Sequence, residues 1–93
     1  MTEAATRVTV ALPRSLVALF PGVDRRVPAA GATVLDVIRD VDARVPGFAN
    51  RILDAGPSIR EHLNLFVDGD LAGLDTPVSD GVTVHVIPAV SGG

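Results

Sequence analysis

Between Thr33 and Pro46 the apolar residues Val34, Val37, Ile38, Val41 and Val45 recur at the spacing of one helical face, while Asp36, Arg39, Asp40 and Asp42 fall elsewhere. A helix whose stripe is almost all valine gains little from intrinsic propensity, because β-branched side chains lose rotamer freedom against the preceding turn. Its stability has to come from burying the stripe, at about 1.5–3 kcal/mol for each fully buried side chain. The rest of the chain must therefore build an apolar surface for this one helix to lie on. Thr33 reads as its N-cap, with Asp36 three residues on as a variant of the capping box at the positive end of the helix. Pro46-Gly47 closes it. Asp36, Asp40 and Asp42 read as the solvated side of the helix, and paired-carboxylate catalysis is not expected of them.

Strand patterns on both sides supply that surface. Val8, Val10 and Leu12 alternate with Thr9 and Ala11 in a strand predicted over Arg7–Leu12 and ended by Pro13. A second extended segment is placed at Val23–Val27, after a Pro21-Gly22 turn. Phe48 to Glu61 reads as an irregular connection with a short helical turn around Ala49–Leu53, broken at Gly56-Pro57. Leu63, Leu65 and Val67 then alternate with Asn64 and Phe66 up to the turn signal Asp68-Gly69. A very short strand is placed at Asp70–Ala72, turns at Thr76-Pro77 and Asp80-Gly81, and a last strand at Val82–Pro88. The helical crossover allows strands that are not hairpin neighbours to pair in parallel. The resulting order, strand, strand, helix, strand, short strand, strand, fits an α+β fold of the β-grasp type, a mixed sheet with one main helix on one face.

What the chain lacks narrows its chemistry. There is no cysteine, so disulfides, thiolate metal ligands and a persulfide carried on the chain are excluded. Its eight basic residues are all arginine, which leaves no side-chain amine to accept a second copy of the chain. The net charge is -3 and the largest basic cluster is Arg25-Arg26, so nucleic acid is not an expected partner. No apolar run approaches the length of a membrane span and Met1–Thr6 has no leader pattern, so no membrane association and a cytoplasmic location are expected. His62 and His85 stand apart without a supporting ligand set, and no metal site is expected. No phosphate-binding glycine loop or Ser/His/Asp arrangement is present, so the chain is read as a substrate and carrier rather than an enzyme.

Several segments are more specific. Phe66-Val67-Asp68-Gly69, Leu74-Asp75-Thr76-Pro77, Asp80-Gly81 and the final Pro88-Ala89-Val90-Ser91-Gly92-Gly93, set in this order of elements, resemble the MoaD/ThiS/CysO family of ubiquitin-like sulfur carriers. The likeness covers the chain after Thr6 and is nearer to actinobacterial-type members with an extended connection after the helix than to the shorter ThiS form. It implies a single β-grasp sulfur-carrier domain over residues 1–93, with residues 1–6 as an N-terminal extension and 89–93 as a tail of which Val90, Ser91 and Gly92 lead to Gly93. It further implies that the Gly93 carboxylate is adenylated by an adenylyltransferase similar to ubiquitin-activating enzymes, then converted to a thiocarboxylate that a sulfur-accepting synthase consumes. On this reading the chain binds no cofactor itself, ATP being used by the activating partner, and is a monomer alone. The chemistry of the tail agrees: a carboxylate is a poor electrophile, adenylation supplies a leaving group, and terminal glycines without Cβ atoms can thread a narrow cleft.

Strand parity adds a surface. If Leu65 and Val67 face the helix, Phe66 faces away, and if Val84 and Val86 face the helix, His85 and Ile87 face away. Neighbouring strands then bring Phe66 beside Ile87 near the exit of the tail, and Phe66, His85 and Ile87 are read as a docking surface for the activating partner. The connection Phe48–Glu61 or a neighbouring chain could instead cover them. Two further functions stay open, a protein modifier conjugated through Gly93 and a non-covalent ubiquitin-like binding module. The destination of the sulfur is left among molybdopterin, cysteine, thiamine, a tRNA base and a specialised metabolite.

Overall fold

The computed structural model describes residues 6–89. Its elements are β1 (Arg7–Ala11), α1 (Arg14–Val17), β2 (Arg26–Ala30), α2 (Val34–Arg44), α3 (Phe48–Ile52), β3 (Leu53–Asp54), β4 (Ser58–Ile59), β5 (Leu63–Val67), β6 (Asp70–Ala72) and β7 (Thr83–Pro88). The helix read from valine spacing is α2. Thr33 is extended, and its Oγ1 accepts a hydrogen bond from the Asp36 amide at 3.2 Å. The next donors of the first turn are satisfied from outside the helix, Val34 N by the Thr76 carbonyl at 3.0 Å and Leu35 N by the Leu74 carbonyl at 2.9 Å. That explains the segment Leu74–Thr76: it caps the helix start, and Thr76 Oγ1 holds its own turn by accepting from Gly73 N at 2.8 Å.

Five strands form the main sheet in the order β2-β1-β7-β5-β6. β1 and β7, the first and last strands of the chain, run parallel at its centre, while β1–β2, β5–β7 and β5–β6 are antiparallel. This is the β-grasp. One face of the sheet presents Val8, Val10, Leu65, Val84 and Val86 to Val34, Val37, Ile38 and Val41 of α2, all of them buried. Gly31, between β2 and α2, lies against the helix start: a Cβ there would come within 2.8 Å of Asp36 Cβ and 2.9 Å of Val37 N. Backbone cannot swing aside as a long side chain can, so Gly31→Ala is expected to cost about 1–3 kcal/mol, the usual range for overpacking. Urea denaturation of the two proteins would measure it, and an unchanged midpoint would show that the helix start can shift freely.

Two expectations need correction, and one short helix was not expected. The second strand lies at Arg26–Ala30, later than Val23–Val27. It is an edge strand, where Pro28 removes no ladder donor that the sheet needs, so a proline that argues against a central strand is tolerated here. Residues 14–17 form a short helix after Pro13 and bury Leu16. The connection after α2 carries the expected short helical turn as α3, which buries Phe48 and Ile52 completely, but the rest of it is more regular than expected, since β3 and β4 pair as a small antiparallel sheet. At the two ends of the described residues, the Thr6 carbonyl accepts from Gly31 N at 3.2 Å and Ala89 N donates to the His62 carbonyl at 2.8 Å.

The acidic side of α2 also differs from a merely solvated face. Asp40 Oδ2 accepts from Ala30 N at 2.9 Å and from Arg44 Nη2 at 2.8 Å, tying the end of β2 to the helix. Asp42 Oδ1 accepts from Ala49 N at 2.9 Å, in the first turn of α3, where a carboxylate also meets the positive end of that helix. Asp36 alone of the three is exposed without such a side-chain bond among the described residues.

Candidate functional site

The face of the sheet away from α2 is laid out by strand register. Across it runs one row of directly paired residues, Leu71 on β6, Phe66 on β5, His85 on β7, Ala11 on β1 and Arg26 on β2. Cross-strand partners share a face of the sheet, so these side chains lie side by side. Phe66 is therefore opposite His85, and Ile87 is opposite Asn64, one step diagonally from Phe66 rather than beside it. The three residues singled out by parity do lie together on this face. Ile87 is 44% exposed, and Phe66 and His85 are half-buried. The Phe48–Glu61 connection does not claim Ile87, and its own large apolar residues, Phe48 and Ile52, belong to the core.

Sequence reasoning missed Leu71, which is 68% exposed at the far end of the row. Its strand has only three residues, too few to show a period, but pairing Leu71 with Phe66 across the Asp68-Gly69 turn would have found it. That turn has Asp68 at φ 51° and Gly69 at φ 90°, the two positive values expected of the tight hairpin that sets this register.

At the other end of the row the sheet dips into an open groove of about 820 Å³. Ala11, His85, Ile87 and Pro88 line it together with Arg25 and Arg26. The last strand ends beside this groove at Pro88, and Ala89 N donates to the His62 carbonyl. Val90, Ser91, Gly92 and Gly93 lie outside the described residues. Among the described residues no group of three or more His, Cys, Asp or Glu could hold a metal ion, and no helix is long and apolar enough to cross a membrane. His62 and His85 sit at separate places, His62 before β5 and His85 within β7.

The ThiS family model matches residues 12–93, from the end of β1 to the last glycine. The chain belongs to the ThiS family. Sulfur carrier protein CysO of Mycobacterium tuberculosis is 35% identical over 92 residues, covering 92% of this chain and 98% of that protein. Small archaeal modifier protein 3 of Haloferax volcanii is 38% identical over 66 residues, 67% of this chain and 71% of that protein. Among solved structures, the Amycolatopsis orientalis BexX/CysO complex contains a chain with TM-score 0.82 and 36% identity, covering 92% of this chain and 99% of that one. This ThiS-family member is thus a ubiquitin-like protein similar to sulfur carriers over nearly its whole length.

Proposed function

We propose that this protein carries sulfur as a thiocarboxylate on Gly93. A partner similar to ubiquitin-activating enzymes joins the carboxylate to AMP from ATP, releasing pyrophosphate. A sulfur nucleophile supplied by the partner system then attacks the acyl carbon, and AMP leaves. The thiocarboxylate gives its sulfur to a biosynthetic synthase and returns as the carboxylate. The observation that carries this reading is the family match through Gly92-Gly93, together with the similarity to CysO proteins over nearly full length. Phe66, His85 and Ile87 form the docking face for the activating partner in this reading, because they give a partly exposed strip across β5 and β7, the strand that leads into the tail. The chain holds no cofactor of its own, and ATP is bound by the partner.

Similarity to a small archaeal modifier protein favours a second outcome for the same activated end, an amide bond from Gly93 to a lysine of another protein. Intact-protein mass spectrometry separates the two. After incubation with ATP, an activating enzyme and a sulfide source, the expected spectrum shows one oxygen exchanged for sulfur at the C-terminus. Peptides from cells carrying a Ser91-Gly92-Gly93 remnant on foreign lysines, with no thiocarboxylate detected, would move the assignment to a modifier.

A further inference from the structure

Arg25 and Arg26 are adjacent arginines in an acidic chain. The protein carries a net charge of -3, yet both guanidinium side chains line the groove beside Pro88 with no ion pair and no side-chain hydrogen bond to another described residue. Among the described residues Arg44 is bound to Asp40 at 2.8 Å, and Arg60 to Asp54 at 2.9 Å and to the Asn50 carbonyl, while the other arginines make no such bond. What sets Arg25 and Arg26 apart is that they are adjacent in the chain and line the same groove as Pro88. Asp24 stands on the same rim but is not paired with either one. The backbone beneath them is fixed, because Leu12 N donates to the Arg25 carbonyl at 2.7 Å and Arg26 is in register with Ala11 of β1. Two planar donor forks thus stand on a fixed backbone at the edge of a groove that Ala11, Ile87 and Pro88 also line.

We infer that this groove takes an acidic segment of the activating protein, with its carboxylates on Arg25 and Arg26 and an apolar side chain on Ile87 and Pro88. The inference rests on the reading of the open face as a docking surface and adds the chemistry of what docks. Arginine presents parallel N–H donors that match a carboxylate in two-point contact, which gives orientation as well as attraction. An apolar lining does nothing for a phosphate backbone, and the overall negative charge repels nucleic acid, so the complement is an amphipathic acidic peptide stretch. Seated there, it lies against the strand that delivers the tail. It would fix the direction in which the tail enters the partner.

The test is adenylation kinetics with an activating enzyme that turns over the wild-type chain, measured across a salt series. Replacing both arginines by glutamate (R25E/R26E) is expected to raise KM for the carrier by about tenfold or more, with kcat little changed, and to flatten the dependence on salt. The neutral pair R25Q/R26Q should fall between, which keeps the result interpretable if charge reversal lowers the melting temperature. Arg39→Glu, an exposed site on α2 with half the charge change, serves as the control and should stay within about twofold. If R25Q/R26Q and R25E/R26E behave like Arg39→Glu while Phe66→Arg still impairs activation at unchanged melting temperature, the open face docks the partner but the acidic segment is wrong. If Phe66→Arg is silent as well, both the groove and the docking face are overturned.

Discussion

A chain shortened by Gly92-Gly93 is expected to fold as the full-length protein does and to lose sulfur transfer completely. The two consequences separate because of where the core lies. Among the described residues every buried apolar side chain falls between Val8 and Val86, and the last backbone hydrogen bond is from Ala89. Nothing that stabilises the sheet is removed, so the melting temperature should stay within a degree or so. The activated acyl group, however, would then have to form on Ser91, which carries a Cβ and a hydroxyl into a passage suited to glycine. Complementation of a deletion strain reads the outcome directly. Restored sulfur transfer by the shortened protein would remove the tail from the mechanism and leave a non-covalent binding module.

The second large effect is on stability. Phe48→Ala is expected to cost about 3–5 kcal/mol, the range for deleting a fully buried phenylalanine. Phe48 has no exposed surface, and its ring meets Phe20 at a centroid distance of 6.1 Å with the planes tilted by 52°. For a domain of this size each kcal/mol moves the melting temperature by about 4–8 °C, so a fall of more than about 10 °C should appear in calorimetry. Phe66→Ala makes the internal comparison, because Phe66 is half-buried on the open face and should cost much less. Equal losses would mean that the open face is sealed and that Phe66 belongs to a second core.

Phe48 also shows why part of the fold escaped the sequence. Its segment has neither a clean period of two nor a stripe longer than one helical turn, so the sequence showed a helical turn there but not that Phe48 and Ile52 belong to the core. The pull that orders it comes from outside the segment: the Asp42 carboxylate holds the Ala49 amide, and the core takes Phe48 and Ile52. The same holds for β2. Val27, Pro28 and Ala29 look like the end of a strand until β1 is placed beside them, whereupon Val27 and Ala29 fill the core and Pro28 faces the open side of an edge strand. By contrast α2, β1, β5 and β7 were legible, since each carries enough periodic apolar residues for its buried face to be read locally.

The candidate site divides along the same line. Parity along single strands was enough to turn Phe66, His85 and Ile87 to one side, because successive strand residues must alternate. Which of them touch was decided by register, and register is set by a turn on one strand and a crossover connection on another. The amino-acid order by itself determined the helix, the alternating strands, the absence of cysteine and lysine, and the glycines of the tail. Only the tertiary structure decided that Phe66 meets His85, that Leu71 extends the apolar row, and that Arg25 and Arg26 stand beside Pro88. The physical reason is that hydrogen-bonded pairing between strands joins residues distant along the chain, and no local pattern of side chains encodes that distance.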